Sequence, residues 1–223
     1  MIFLAVTLGF IAENLREHLN DKSREHEYVN GLMLELKQDT AELRSIVTFD
    51  STKDKGLDTL LTFSKANLAD TDNQKLLFYY DLKYAQSISF FQGSDATLQQ
   101  MKNTGGLRLL SKDHIADSVI RYDVAMKDTY GERDITKNIF DDLQKLQMEI
   151  FNFVTLKDNV INKDSLGKLN NVLINADPLK LQIYMNKIFS YKAVSKYYYQ
   201  VILASALHDA ERMILLLSKS YGL

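Results

Sequence analysis

The stretch VNGLMLELKQDTAELRSIVTFDSTKDKGLDTL, residues 29–60, decides the fold. Its apolar side chains Val29, Leu32, Leu36, Leu43, Ile46, Leu57 and Leu60 recur at intervals of three and four. That spacing places them on one inward-facing stripe of a helix. Asp39, Asp50 and Lys53 fall in the same register and interrupt it. The heptads are therefore not sustained, and the pattern predicts a long helix, part stalk and part bundle member, rather than a free coiled coil. No strong breaker occurs over 13–68. Gly31 and Gly56 each weaken this helix by about 1 kcal/mol relative to alanine.

Working outward, the rest of the chain carries the same helical signature. Its 223 residues include a single proline, Pro178, and nine glycines, so long helices can run uninterrupted. An all-β sandwich would need turn residues every ten positions or so, and they are missing. The 46% hydrophobic and 25% charged content is that of a folded protein. Net charge is -2, with acids and bases interspersed. No basic stripe marks a nucleic-acid footprint, so nucleic acid is not an expected partner. There are no cysteines, which excludes disulfides, thiolate zinc sites and cysteine nucleophiles.

Residues 70–73 (DTDN) form a polar break with capping side chains. A second helix is expected over 73–91, with Leu76, Leu77, Tyr80, Tyr84 and Ile88 at helical spacing. A short helix over 96–103 ends at Gly105-Gly106. A long one over 112–156, capped by Ser111 or Asp113, carries Ile115, Val119, Met126, Ile139, Leu143 and Ile150, with Gly131 a place to kink. A short helix is expected over 165–174. Asp177-Pro178 is the clearest local signal: an N-cap acceptor followed by a residue suited to the first turn. The final helix, over 178–220, is apolar over a wide arc, which places it inside the bundle.

Residues 1–12, MIFLAVTLGFIA, are uncharged. Twelve helical residues cover about 18 Å, short of the roughly 20 residues a full crossing needs. The run has no basic n-region or cleavage-site pattern of a signal peptide. It reads as the C-terminal half of a truncated membrane span, an interfacial anchor or a buried core helix. The abrupt switch to charge at Glu13 favours the span.

Tests for chemistry find no catalytic, cofactor-binding or metal residues. Bundle di-metal sites use Glu-x-x-His pairs, and none of His18, His26, His114 and His208 has a glutamate three residues before it. His18 and His26 are two turns apart, too far for one zinc. Glu13, Glu17 and Asp21 lie beside Arg16, Lys22 and Arg24 and read as a solvated charged face. Neither a phosphate-binding glycine loop nor a serine nucleophile motif is present. Tyr191, Tyr197, Tyr198 and Tyr199, with Tyr79, Tyr80 and Tyr84, could line a ligand pocket or form bundle core with wet hydroxyl ends, and core is favoured.

Two segments carry a resemblance. One is the opening MIFLAVTLGFIAENLREH with Glu27-Tyr28 and Leu36-Lys37-Gln38-Asp39 in the helix that follows; the other is TLQQMKNTGGLRLL, residues 97–110, followed by DSVIRYD, residues 117–123. Together they resemble a family of uncharacterised bacterial proteins with a single N-terminal membrane span and an α-helical domain of unknown function. The match covers the first third and the middle of the chain. It implies that Met1 is not the true start, or that the chain is a fragment. It supplies no activity, cofactor or catalytic residue. Read physically, Gly105-Gly106 lets the chain reverse, and Arg108 either binds an anion or a partner's carboxylate or, as favoured here, ties the corner to a neighbouring helix end.

The expectation is thus an all-α protein: an irregular antiparallel helical bundle with a long N-terminal membrane-proximal helix. Residues 1–23 would form the membrane anchor and juxtamembrane segment, and residues 24–223 the bundle domain. The function read from this is a membrane-anchored interaction or scaffold protein and not an enzyme. It would partner the membrane through its N-terminal helix, and a protein or a second copy through the bundle; the resemblance alone implies that the bundle lies outside the cytoplasmic membrane. The alternative is a sensor-like domain binding a small ligand. A buried cavity ringed by Tyr and Arg would favour the sensor, and an exposed apolar patch the scaffold.

Overall fold

The computed structural model describes residues 2–110, 112, 114–156 and 163–223. The protein is all-α. In chain order it comprises α1 (Ile2–Thr62), α2 (Thr71–Tyr80), α3 (Ala96–Thr104), α4 (Ile115–Ile150), α5 (Pro178–Tyr197) and α6 (Ala204–Tyr221). Short 3-10 turns and two π-helical segments, Asp81–Ala85 and Tyr198–Leu203, complete it. The sole β feature among the described residues is an isolated bridge between Phe151 and Leu173.

Contacts group the chain into two compact units. The first is built from Met1–Leu43, Gln92–Lys127 and Ala206–Leu223, and the second from Arg44–Phe91 and Asp128–Ser205. Each has its own apolar core. In the first unit Val29, Leu32 and Leu36 of α1 meet Leu98, Met101, Ile115, Val119, Met213 and Leu217. In the second, Leu57 and Leu60 meet Leu77, Phe78, Phe140, Leu143, Tyr184 and Ile188. Every position of the α1 stripe is buried, including the polar Asp39, Asp50 and Lys53.

The first twelve residues do not form a span. Among the described residues no helix is long and apolar enough to cross a membrane. α1 is long, but its apolar run gives way at Glu13, Arg16 and Glu17, so the hydrophobic length stays near 18 Å. The single-pass anchor and the location derived from it are therefore overturned. The buried-helix alternative also fails for this stretch, because Phe3, Leu4, Val6, Leu8, Phe10 and Ile11 are all exposed.

Local signals explain the other boundaries. Asp70 accepts from the Asp72 amide at 3.0 Å and starts α2. Asp177 accepts from the amides of Leu179 at 2.7 Å and Lys180 at 3.1 Å, with Pro178 in the first turn of α5. α4 runs unbroken through Gly131. The capping residues expected for it, Ser111 and Asp113, lie outside the described residues. The helix expected over 165–174 is only a 3-10 turn, Lys163–Lys168, because Leu173 instead pairs with Phe151. The helix expected over 73–91 stops at Ala85, for a tertiary reason given below.

The Gly105-Gly106 corner divides its work. Gly105 sits at φ 68°, the left-handed region where a side chain is strained. Gly106 is buried against Tyr28: a Cβ there would lie 2.4 Å from Tyr28 Cε2. Tyr28 in turn shares a hydrogen bond of 2.8 Å with Thr104. Gly56 is a close-approach site too, since a Cβ would meet the Tyr84 ring at 2.2 Å. Arg108 is exposed, and its side chain makes no hydrogen bond or ion pair among the described residues, so the expected tie to a helix end is not formed.

These geometries order three substitutions. Gly106→Val, which drives a branched side chain into a buried tyrosine, lowers stability by about 2 kcal/mol or more. Gly105→Ala costs about 1 kcal/mol. Gly131→Ala, exposed within a helix with nothing near its Cβ, raises stability by about 0.5–1 kcal/mol. Thermal melts of the three variants check the ranking, and a Gly106→Val protein melting like the parent would remove the packing account.

Candidate functional site

The interruptions of the α1 stripe build two polar sites, one in each unit. In the first unit, Glu35, Asp39 and Glu42 follow one another along α1. Glu35 accepts from the Thr97 amide and hydroxyl, both at 2.8 Å, at the start of α3. Asp39 accepts from the Ser94 amide at 3.0 Å and the Tyr122 hydroxyl at 3.4 Å. Glu42 accepts from the Gln92 amide at 3.2 Å. Three carboxylates thus receive two amides of the non-helical segment before α3 and one free amide of the first turn of α3. Burial pushes the Asp39 carboxyl up to about 6, against the hydrogen bonds from Ser94 and Tyr122.

The second unit holds a lysine cage. Lys53 is 2% exposed. Its ammonium donates to the Ser87 carbonyl at 2.7 Å and to the Tyr191 hydroxyl, and lies 4.6 Å from the Tyr191 ring centre and 5.6 Å from that of Tyr199. Tyr191 also donates to the Ser87 carbonyl at 3.1 Å. Tyr199 donates to the Ser89 carbonyl at 2.8 Å and accepts from the Ser89 amide at 3.1 Å. These bonds explain why the helix expected over 73–91 ends early. Side chains of α1, of α5 and of the π-turn after it take the backbone groups of Ser87 and Ser89 that a helix would have paired internally. Desolvation lowers the Lys53 ammonium to about 8, and Asp50 works in the opposite sense. Asp50, raised to about 6 by burial, accepts from Gln200 at 3.3 Å.

Asp81 opens the first π-segment and is fully buried. It accepts from Tyr184 and Gln147, both at 2.6 Å, and from Gln86 at 2.9 Å. Desolvation raises it to about 6 although all three donors oppose that. The Gln147 Oε1 is buried without a partner among the described residues.

Chemically, these groups hold structure. A lysine near neutrality can act as a nucleophile when a carbonyl can reach it. The Lys53 ammonium is committed to Ser87 and Tyr191 and shielded by two rings, so a substrate would have to displace both partners. The tyrosines singled out above divide accordingly. Tyr191, Tyr198 and Tyr199 are core, as favoured; Tyr79, Tyr80 and Tyr84 pack partly buried against it; Tyr197 is exposed. Asp81, Tyr184 and Gln147 were missed, since a lone aspartate at the end of an amphipathic helix reads as surface. The signal for Lys53, Asp50 and Asp39 was present as charge in an otherwise apolar register. The histidines build no ligand set: no group of three or more His, Cys, Asp or Glu positioned for a metal occurs among the described residues.

Two surface features complete the inventory. In the first unit a cleft of about 660 Å³ runs between α4 and α6, edged by His114, Arg121, Tyr122, Asp209 and Arg212 over Met213. In the second unit α5 is apolar on both sides. Leu181, Tyr184, Met185, Ile188 and Tyr191 face the core. Leu179, Ile183, Phe189 and Tyr197, with Val201 beyond, are 48–69% exposed on the opposite side. The wide apolar arc was expected to mean burial on more than one side, but in the second unit α5 buries only one.

Comparison with known proteins returned no match: no family model fits the sequence, and no curated protein or solved structure matches it.

The raised carboxyls carry a pH signature. Between about pH 4 and 6 the native state holds protons on Asp81 that the unfolded chain has released, so this group's contribution to stability falls as pH rises through that window. Asp81→Asn removes it. In urea melts at pH 4 and pH 7 the wild type should lose roughly 2–3 kcal/mol more than the variant between the two conditions. Equal losses would mean that Asp81 is already ionised in the native state at pH 4.

Proposed function

We propose that this protein is a helical interaction module whose docking surface is the outer face of α5. The observation that carries this reading is the exposure of Leu179, Ile183, Phe189, Tyr197 and Val201 on a helix whose other side is already packed. Apolar residues on two opposite sides of a helix suit packing on both, and here one of those sides faces water. At roughly 150–250 Å² per large side chain, the exposed fractions amount to on the order of 500 Å², which is at the upper end of what a monomer's largest patch presents and is often functional. Between these residues lie Gln182, Asn186, Ser190 and Ala193, none of them charged. Depletion of charge at the centre with a polar rim is the composition of an interface.

The cleft in the first unit supports a second reading, a small-ligand site. Arg212 has no hydrogen bond or ion pair among the described residues, and Arg121 bonds only Ser118, at 3.1 Å. Those two guanidiniums over an apolar floor suit a small carboxylate. The cleft is open, whereas sensor pockets bury most of their ligand.

The docking reading is tested by placing a photo-crosslinking side chain at Ile183 or Phe189 in the full chain within cells. Both positions should give covalent adducts, and the same group at the exposed Lys55 in the second unit should not. Adducts absent from Ile183 and Phe189, or equally abundant at Lys55, would remove α5 as the docking surface. Ile183→Glu with Phe189→Glu should abolish the adduct formed from a probe at Tyr197 while changing the melting temperature little, since both side chains are largely exposed.

A further inference from the structure

Resting on the docking reading above, we infer that the occupant of the α5 face is the α5 of a second copy of this chain, packed antiparallel about a two-fold axis at Ser190. The arrangement follows from positions along the helix. Leu179 and Val201 lie eleven residues either side of Ser190, and Ile183 and Tyr197 lie seven either side. A two-fold axis through Ser190 therefore sets Leu179 of one copy against Val201 of the other, and Ile183 against Tyr197, twice each. A two-fold interface needs this property: one patch that is complementary to itself. Leu179 and Tyr197 are eighteen residues apart, about five full turns, so they share one line of α5, with Ile183, Asn186 and Ser190 within about 40° of it.

The charge around the face permits like to meet like. Two copies of a lysine-bearing helix would repel, yet three of its four lysines are neutralised at home, and the fourth, the exposed Lys196, would lie about 18 Å along the axis from its counterpart. Lys180 pairs with Glu149 at 2.8 Å, Lys187 with Asp142 at 3.4 Å, and Lys192 with Asp54 at 3.0 Å and Asp58 at 3.1 Å. Ser190 on the axis is small, which lets the helices approach. With axes 8–10 Å apart and Cα atoms about 2.3 Å from each axis, the two Ser190 Cα atoms come within roughly 3.5–5.5 Å. The exposed run from Leu179 to Val201 is about 33 Å long. Its apolar residues and the uncharged ones between them approach the roughly 800 Å² per partner of a standard interface.

The chain contains no cysteine, so an introduced one reports alone. Ser190→Cys, oxidised in the purified full chain, should form a disulfide-linked dimer that reduction reverses, because the Cα separation overlaps the range a disulfide spans. Leu179→Cys and Val201→Cys should each remain largely monomeric alone and form a mixed dimer when the two proteins are combined. Lys55→Cys serves as the random-collision control. Dimer from Ser190→Cys well above that control, together with the mixed Leu179–Val201 dimer, supports the two-fold. If Ser190→Cys cross-links no better than Lys55→Cys, or if Leu179→Cys pairs with itself and not with Val201→Cys, the two-fold at Ser190 is wrong. The outcomes separate from those of the docking reading. Photo-adducts at Ile183 whose mass is not that of a second copy, with no Ser190 disulfide, keep the docking surface and overturn this inference. A lack of adducts overturns both.

Discussion

The rest of the structure depends on the pairing of backbone groups that no helix satisfies. Residues 86–95 run between a π-turn and α3 without helical hydrogen bonds. Amides and carbonyls of such a stretch need partners wherever water is excluded. They are supplied by side chains, above all those of α1. In the first unit Asp39 and Glu42 accept from Ser94 and Gln92, and Glu35 accepts from the first-turn amide of Thr97 in α3. In the second, Lys53, Tyr191 and Tyr199 bind Ser87 and Ser89. Two of the three charged residues that spoil the apolar stripe of α1, Asp39 and Lys53, therefore hold backbone groups of the chain beside it where that chain leaves the helical conformation.

This role also decides what the buried ionisable groups do. A desolvated lysine and three aspartates raised to about 6 resemble the groups of an active site. Structural networks perturb pKa values in the same way, and geometry distinguishes the two. Each of these groups already holds hydrogen bonds to protein atoms, and Lys53 is roofed by aromatic rings. Their burial makes the native state pH-sensitive.

α5 shows the complementary situation. Its inner side is committed to the core and to the caging of Lys53, while its outer side keeps apolar residues in water, as if a packing layer were missing. The apolar residues near the start of α1 are exposed as well, but they do not reach the length of a span. Exposure of apolar surface has opposite meanings at these two places. On α5 it is spaced along a helix anchored by its other side. At the start of α1 it lies on a stretch in which residues 3–12 are all exposed.

By itself the sequence determined the all-helical class, the caps at Asp70 and Asp177, the turn at Gly105 and the inward stripe of α1. These are set by local periodicity and by backbone preferences acting over a few residues. It also displayed the anomaly of Asp39, Asp50 and Lys53, without saying what they would bind. Only the tertiary structure decided that the helix after α2 ends at Ala85, because Tyr191 and Tyr199, more than a hundred residues away, compete for its backbone. Only the tertiary structure showed that Gly106 is needed for Tyr28 and Gly56 for Tyr84. The two sides of α5 read alike in sequence for the same reason: apolarity states that a side chain prefers to be covered, and only the arrangement of the other helices decides which side already is.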